Sequence, residues 1–296
     1  MKILLTGSKG QLGSEIFNQI KDLGAEVRGE DLPQLDITNP VQLKNTFLDY
    51  KPSLVINTAA YTNVDGAETE KNLAFLVNKE APAHLAQLCS NNGIPLIHLS
   101  TDFVFNGKKD TPYKETDPVS PLSVYGQSKL EGEINIHSRL KKHIIIRTSW
   151  LYGLHGHNFV KTMLNLGKKK ESIQVVDDQF GSPTSAADLS EAILSIVLKI
   201  KNNVDICWGT YHYCGKGITS WYGFSKKIFD IANKISPLKV KRIEPVSTKL
   251  FKTKATRPAF SALDCERINK HFAIDTKPWQ KSLEIMINKL FNELKQ

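Results

Sequence analysis

The chain has 296 residues, 41% of them hydrophobic and 23% charged, with a formal net charge of +9 from 39 basic and 30 acidic side chains. That size and balance suit one large globular domain, or a domain with a smaller partner, and exclude a disordered, collagen-like or disulfide-built chain. The basic runs Lys108-Lys109, Lys141-Lys142 and Lys168-Lys169-Lys170 are short and carry no interleaved aromatics, which argues for solvated surface and against nucleic acid as a partner.

Lys2 to Thr6 is a short apolar run ending at Gly7, the pattern of a buried strand. Gly7-Ser8-Lys9-Gly10-Gln11-Leu12-Gly13 follows, and the apolar spacing from Ser14 to Ile20 is helical. Strand, glycine turn and helix in this order form the entry of a dinucleotide-binding fold, although the spacing is G-x-x-G-x-x-G. Such a turn lets backbone approach a pyrophosphate at a helix N-terminus. Glu26 to Gly29 reads as a second strand, with Glu30 and Asp31 at its end. An acidic side chain there accepts ribose hydroxyls and leans towards NAD, whereas Lys9 and Arg28 suit a 2′-phosphate. Thr38 or Asn39 should cap a helix from Pro40. Leu54 to Ala60 reads as a buried strand ending in small residues, Asn78 to Asn91 as a helix, and Pro95 to Thr101 as a central strand enclosing a core histidine, His98. A polar, proline-rich loop over 112–121 leads to the helix of Tyr125, and His143 to Arg147 is the next strand. Beyond residue 150 come Ile173 to Val176, an ordered turn over 177–184 containing Asp177 and Asp178, a helix over 187–200, a strand over 209–213, and amphipathic helices over 220–235 and 279–294.

Cys89, Cys207, Cys214 and Cys265 show neither zinc spacing nor a paired framework. Reduced thiols of a cytoplasmic protein are expected, with Cys207 and Cys214 in strand packing. Neither a signal peptide nor an apolar run of the ~18–20 residues needed for a membrane span is evident.

Tyr125 and Lys129 stand one helical turn apart on one face. A phenol titrates near ~10, and a nearby cation lowers that value towards useful acid/base chemistry. The alternating first half predicts an α/β fold: a Rossmann-type doubly wound parallel sheet, with the later chain building a substrate lobe at the sheet's carboxyl edge.

The segments GSKGQLG (7–13), LDITN (35–39), NTAAYTNVDGAE (57–68), STDFVF (100–105), VYGQSKLEGE (124–133), RTSWLYG (147–153), DDQFGSPT (177–184) and RPAFSAL (257–263) run in order along nearly the whole chain. In them the sequence resembles the extended short-chain dehydrogenase/reductases and, more closely, the dTDP-4-dehydrorhamnose reductase family. The resemblance implies hydride transfer from NADPH or NADH to the C4 keto group of a nucleotide-linked 6-deoxyhexulose. Tyr125 would protonate the alkoxide, Lys129 would lower the Tyr125 pKa and hold the nicotinamide ribose, and Thr101 would hydrogen-bond the carbonyl oxygen. Val64, Asp102, Phe103 and Trp150 would line the sugar pocket, and Arg257 would face the substrate diphosphate. Core packing is the competing reading of Trp150, and solvated surface that of Arg257. Gly7, Gly10, Gln11, Leu12 and Gly13 would cradle the cofactor, with Asp31 at its ribose, Asp36 and Ile37 near its adenine, and Ala59, Ala60 and Tyr61 beside its diphosphate or ribose. Residues 1–152 and about 184–217 would form the cofactor domain, and about 153–183 and 218–296 an interleaved substrate lobe.

Related nucleotide-sugar dehydratases carry Asp-Glu after the threonine. Asp102-Phe103 stands here, which disfavours dehydration, while a 4-epimerase would share the same triad. The NADP-binding regulatory subunit of methionine adenosyltransferase is also similar, but the presence of Thr101, Tyr125 and Lys129 favours an enzyme. Some relatives bind magnesium through acidic side chains at a dimer interface. Glu15 matches one such position, whereas Ala187 stands where the pattern has Glu, so no metal ligands are assigned and either a monomer or a homodimer is expected.

Overall fold

The computed structural model describes residues 1–293, with Asp22 represented by its backbone alone. Leu294, the end of the last expected helix, lies outside the described residues. β1 (Lys2–Thr6) buries Ile3, Leu4 and Leu5 completely, as a strand covered on both faces must. α1 (Gln11–Gln19) starts three residues before the apolar spacing suggests, because the turn from Gly7 feeds directly into it at Gly10. β2 (Glu26–Glu30) is followed by α2 (Pro40–Tyr50). Asn39 caps α2, accepting from the N–H groups of Val41 and Gln42, while the Thr38 hydroxyl turns back to Asp36.

β3 (Leu54–Asn57) stops short of the expected Ala60: the Asn57 side chain takes the Ala59 N–H at 3.1 Å and turns the chain away from the ladder. α3 (Val64–Ala67), α4 (Lys71–Phe75), a π turn over Leu76–Glu80 and α5 (Ala81–Asn92) make a nearly continuous helical stretch, longer than the helix expected from 78. β4 (Leu96–Thr101), α6 (Val124–Arg139) and β5 (His143–Thr148) complete the first half.

The second half holds β6 (Leu151–Tyr152), α7 (Phe159–Lys169), β7 (Ser172–Val176), β8 (Phe180–Gly181), β9 (Thr184–Ser185), α8 (Ala186–Lys201) and β10 (Gly209–His212). It ends with β11 (Thr219–Ser220), α9 (Trp221–Ile235), β12 (Arg242–Val246), α10 (Glu266–Phe272) and α11 (Trp279–Glu293). The helices α7 and α10, the strand β12 and the two-residue strands β6, β8, β9 and β11 are additions to the sequence reading.

One six-stranded sheet runs β2-β1-β3-β4-β5-β10, parallel throughout. β1 has β2 on one side and β3 on the other, so the crossovers diverge from it and leave a crevice at the carboxyl ends of the strands. α1 and α8 cover one face through Ile16, Ile20, Leu189 and Ile193, and α2, α5 and α6 cover the other through Leu43, Phe47, Leu85 and Ile136. A separate core joins α7, α9, α11 and β7, with Phe224, Ile228, Trp279 and Leu283 at its heart.

Cys207 is exposed and outside β10, which corrects its expected place in strand packing. Cys214 meets Cys265 instead, with the two sulfurs 3.6 Å apart and both thiols free. Among the described residues no helix is long and apolar enough to cross a membrane.

Candidate active site

Thr101 is the last residue of β4, and the turn after it, Asp102–Val104, presses against the first turn of α6. Gly126 makes that contact possible, since a Cβ there would lie 2.3 Å from the Phe103 carbonyl oxygen. Ser123 caps α6 by accepting from the Gly126 N–H at 3.2 Å, which fixes where the helix begins. The result is that Tyr125 lies edge-on to Phe103, ring centroids 5.6 Å apart, with its phenol beside the Thr101 hydroxyl.

Lys129 follows one turn later, almost wholly buried, and donates to the Leu99 carbonyl at 2.6 Å. Burial pushes the Tyr125 phenol up to about 12, with the Asp102 charge adding to the rise and the Thr101 bond opposing it. Burial also brings the Lys129 ammonium down to about 8, against the pull of Glu133. Desolvation therefore sets the charge states of the pair, leaving the phenol protonated at neutral pH.

The Thr101 hydroxyl donates to Asp102 Oδ1 at 3.1 Å and accepts from the Phe103 N–H. Asp102 Oδ2 is buried with no hydrogen-bond partner. Burial raises the Asp102 carboxyl to about 6, even with Ser261 and Thr101 countering it.

The glycine turn lies at the same sheet edge. Gly7 has φ +74°, and its Hα side faces Ala59, where a Cβ would lie 2.5 Å from the Ala59 nitrogen. A Cβ on Gly13 would come within 2.0 Å of the Gly7 carbonyl. No side chain caps α1 at Gly10, so the first-turn N–H groups at Gln11, Leu12 and Gly13 are offered to a ligand. Asp31, at the end of β2, accepts from the N–H groups of Lys9 and Leu32. Lys9 reaches the Leu32 carbonyl and Gln34, while Arg28 is tied to Glu30 and Asp49. Asp36 closes a local turn with Thr38, and Ile37 is buried beside it. Ala59, Ala60 and Tyr61 form a half-buried loop after β3.

Other expected residues sit across the crevice. Val64 opens α3, and neighbouring Asp65 pairs with Arg257 at 2.7 Å, so the arginine is anchored and partly covered. Trp150, at φ +46°, stacks on Trp221 with centroids 3.5 Å apart and planes within 6°. Trp150 also meets Phe224, and Trp221 meets Phe159, both in or against the second core, so packing contributes to its placement. A groove of about 860 Å³ is lined by Phe159, Val176, Gln179, Trp221, Glu244 and Arg257. Another cavity, of about 810 Å³, opens among Met1, Ser53, Pro95, Lys142 and Trp208, at the amino ends of the strands and away from this crevice.

Residues left unassigned by the sequence hold the site together. Asn78, in the π turn, clamps the Tyr61 backbone from both sides and donates to Ser128 on α6. His98 is fully buried and neutral, with its Nδ1 2.9 Å from the Asn57 amide nitrogen. Ser261 lies against Asp102, and Glu133 is gripped by Arg147 and Ser100. Glu133 had a visible signal, its place one turn beyond Lys129; Ser261 lay within the RPAFSAL segment, but no local spacing tied it to Asp102.

Glu15 bonds Gln19, and Asp188, next to Ala187, is engaged by Lys277 and Ser282. Among the described residues no group of three His, Cys, Asp or Glu side chains could hold a metal ion.

The strand order, and a Tyr-Lys helix set against Thr101 beside a glycine turn, are those of an extended short-chain dehydrogenase/reductase, an oxidoreductase class. Residues 1–292 match the RmlD substrate binding domain family, and the chain belongs to it. The chain is 41% identical over 286 residues to the dTDP-4-dehydrorhamnose reductase of Aggregatibacter actinomycetemcomitans, covering 96% of this chain and 97% of the relative. The crystal structure of the Clostridium acetobutylicum dTDP-4-dehydrorhamnose reductase aligns with TM-score 0.91 at 42% identity, over 98% of this chain and 100% of that one. That of the Bacillus anthracis enzyme, in complex with NADP, aligns with TM-score 0.91 at 37% identity, over 97% and 99%.

Proposed function

We propose that the protein reduces the C4 keto group of dTDP-4-dehydro-L-rhamnose with NADPH or NADH, giving dTDP-L-rhamnose. The observation that carries the proposal is the meeting of Thr101 and a protonated Tyr125 beside the unpartnered Oδ2 of Asp102. The chain fits a dinucleotide: close backbone approach at Gly7 and Gly13 and the uncapped start of α1 leave N–H donors for a pyrophosphate. Gly7, Gly10, Gln11, Leu12 and Gly13 would hold that group, Asp31, Asp36 and Ile37 its adenosine end, and Ala59, Ala60, Tyr61 and Lys129 its nicotinamide half. A bound nicotinamide supplies the hydride.

The chain's own residues do the rest. Tyr125, protonated at neutral pH, donates its proton to the C4 oxygen, and the Thr101 hydroxyl bonds the same oxygen as negative charge develops there. Lys129 gives a fixed cation beside them. Asp102 accepts a sugar hydroxyl at Oδ2, and Val64, Phe103 and Trp150 shape an apolar wall. Arg257, held by Asp65, faces the diphosphate at the mouth of the groove by Trp221. Incubation with the 4-keto sugar and each cofactor tests the reading. Sugar-dependent loss of the reduced-nicotinamide absorbance, with a rhamnose-configured product, is expected; tight cofactor binding without oxidation would overturn it.

A further inference from the structure

The catalytic set proposed above leaves one buried charge cluster without a role. Glu133 lies one turn beyond Lys129 on α6 and is 1% exposed. Arg147 on β5 donates to it through Nε at 3.0 Å and through Nη2 at 2.6 Å, and Ser100 on β4 donates to the same carboxylate. Ser100 and Arg147 are register partners across the ladder, and Ser100 immediately precedes Thr101. One carboxylate thus ties the helix of Tyr125 and Lys129 to the strand end that carries Thr101.

We propose that Glu133, clamped by Arg147 and Ser100, is a positioning residue that holds Lys129, one turn away on the same helix, for the cofactor side of the crevice. This rests on the reading above that Lys129 holds the nicotinamide half.

The Lys129 ammonium is buried and has one hydrogen-bond acceptor, the Leu99 carbonyl. Burial favours loss of its proton, and the Glu133 charge opposes that loss. The other ionisable groups around this cluster are Tyr125 and His137 on α6, His98 on β4, and Arg147 on β5 with His212 behind it. Both His98 and His212 are held neutral by burial. The balance at Lys129 therefore sets burial against the Glu133 charge, and Arg147, bonded to that carboxylate at 2.6 Å, offsets the charge from its other side. A pair that merely joins helix to sheet would affect stability alone. A pair that sets the charge of Lys129 also moves the pH at which the cofactor stops binding, and in opposite directions when either member is neutralised.

The test is the affinity for NADPH and for NADH, read by nicotinamide fluorescence between pH 6 and 9.5 on the wild type, Glu133→Gln and Arg147→Gln. Wild-type affinity should fall as pH rises through about 8. In Glu133→Gln the fall should come about one pH unit earlier, weakening binding up to about tenfold at pH 8 while leaving it unchanged at pH 6. In Arg147→Gln it should come later. If Arg147→Gln, which strands the buried Glu133, does not fold, the shift in Glu133→Gln alone decides the test. An unmoved alkaline limb, or limbs moved the same way, would overturn the proposal. The sugar takes no part in this measurement, so a wrong substrate would leave the result intact.

Discussion

Asp102 and Glu133 are both carboxylates buried at the same edge of the sheet, yet the fold treats them in opposite ways. Glu133 is saturated, with Arg147 and Ser100 filling both its oxygens. Asp102 takes the Thr101 hydroxyl on one oxygen and leaves the other buried without a partner. A buried charge with all its bonds made serves as architecture; one with a bond withheld is costly until a ligand supplies the donor. The saturated carboxylate aligns the two elements that bring Thr101, Tyr125 and Lys129 together. The unsaturated one is the acceptor proposed above for a sugar hydroxyl.

The largest effect is expected on the Asp102 side, at the phenol its charge helps to keep protonated. Tyr125→Phe should lose about 10²–10⁴-fold in turnover while keeping cofactor affinity, measured by absorbance and by fluorescence titration. Near-normal turnover would remove Tyr125 as the proton donor.

On the saturated side, Arg147→Met leaves Glu133 buried and uncompensated. Urea unfolding should show a loss of about 3–5 kcal/mol, much of it recovered when Glu133→Leu is added, because the apolar pair no longer carries a stranded charge. A double variant as unstable as the single one would contradict that account.

Asp102→Asn sharpens the contrast, since it should gain stability and lose function. Its folded pKa of about 6 stands above the ordinary 3.8, so the fold favours the protonated form. That contribution is complete below pH 4 and is lost as pH rises through about 6. The amide should therefore be more stable than the wild type at pH 7.5, by at most about 3 kcal/mol, with the difference fading below pH 4. Catalytic efficiency should fall on the order of tenfold to a hundredfold, for a lost bond of about 1.5–3 kcal/mol to the charged group. Thermal scans at two pH values and steady-state kinetics would check both halves.

The smallest change expected is at Ser123→Ala, which removes the α6 cap. It should cost about 1 kcal/mol in unfolding experiments, with a modest loss of turnover as the first turn carrying Tyr125 loosens.

The sheet was legible in the sequence because its central strands are near-continuous apolar runs, as in Leu54–Asn57 and His143–Thr148, bounded by turn residues. The Tyr125–Lys129 pair and the glycine turn were legible because each lies within one element or at one junction. β12 was not: Arg242–Val246 is half-exposed, contains Pro245, and becomes a strand by pairing with β7, some 70 residues away in the chain. α7 is as long as α2 and capped by Asn158, so its apolar spacing at Val160, Met163 and Leu164 was present in the sequence, whereas α10 has only seven residues and depends on the edge of β10. For the same reason Ser261 could not be seen beside Asp102, nor Asp65 beside Arg257. Those neighbours are made by tertiary folding, and no local spacing records them.

The most direct test of the account follows the hydride. With NADPH carrying deuterium at the transferred position, and dTDP-4-dehydro-L-rhamnose as substrate, the account predicts dTDP-L-rhamnose with one deuterium at C4 and one oxidised cofactor per product. Sugar isomerised without net cofactor oxidation, or product lacking deuterium at C4, would contradict it.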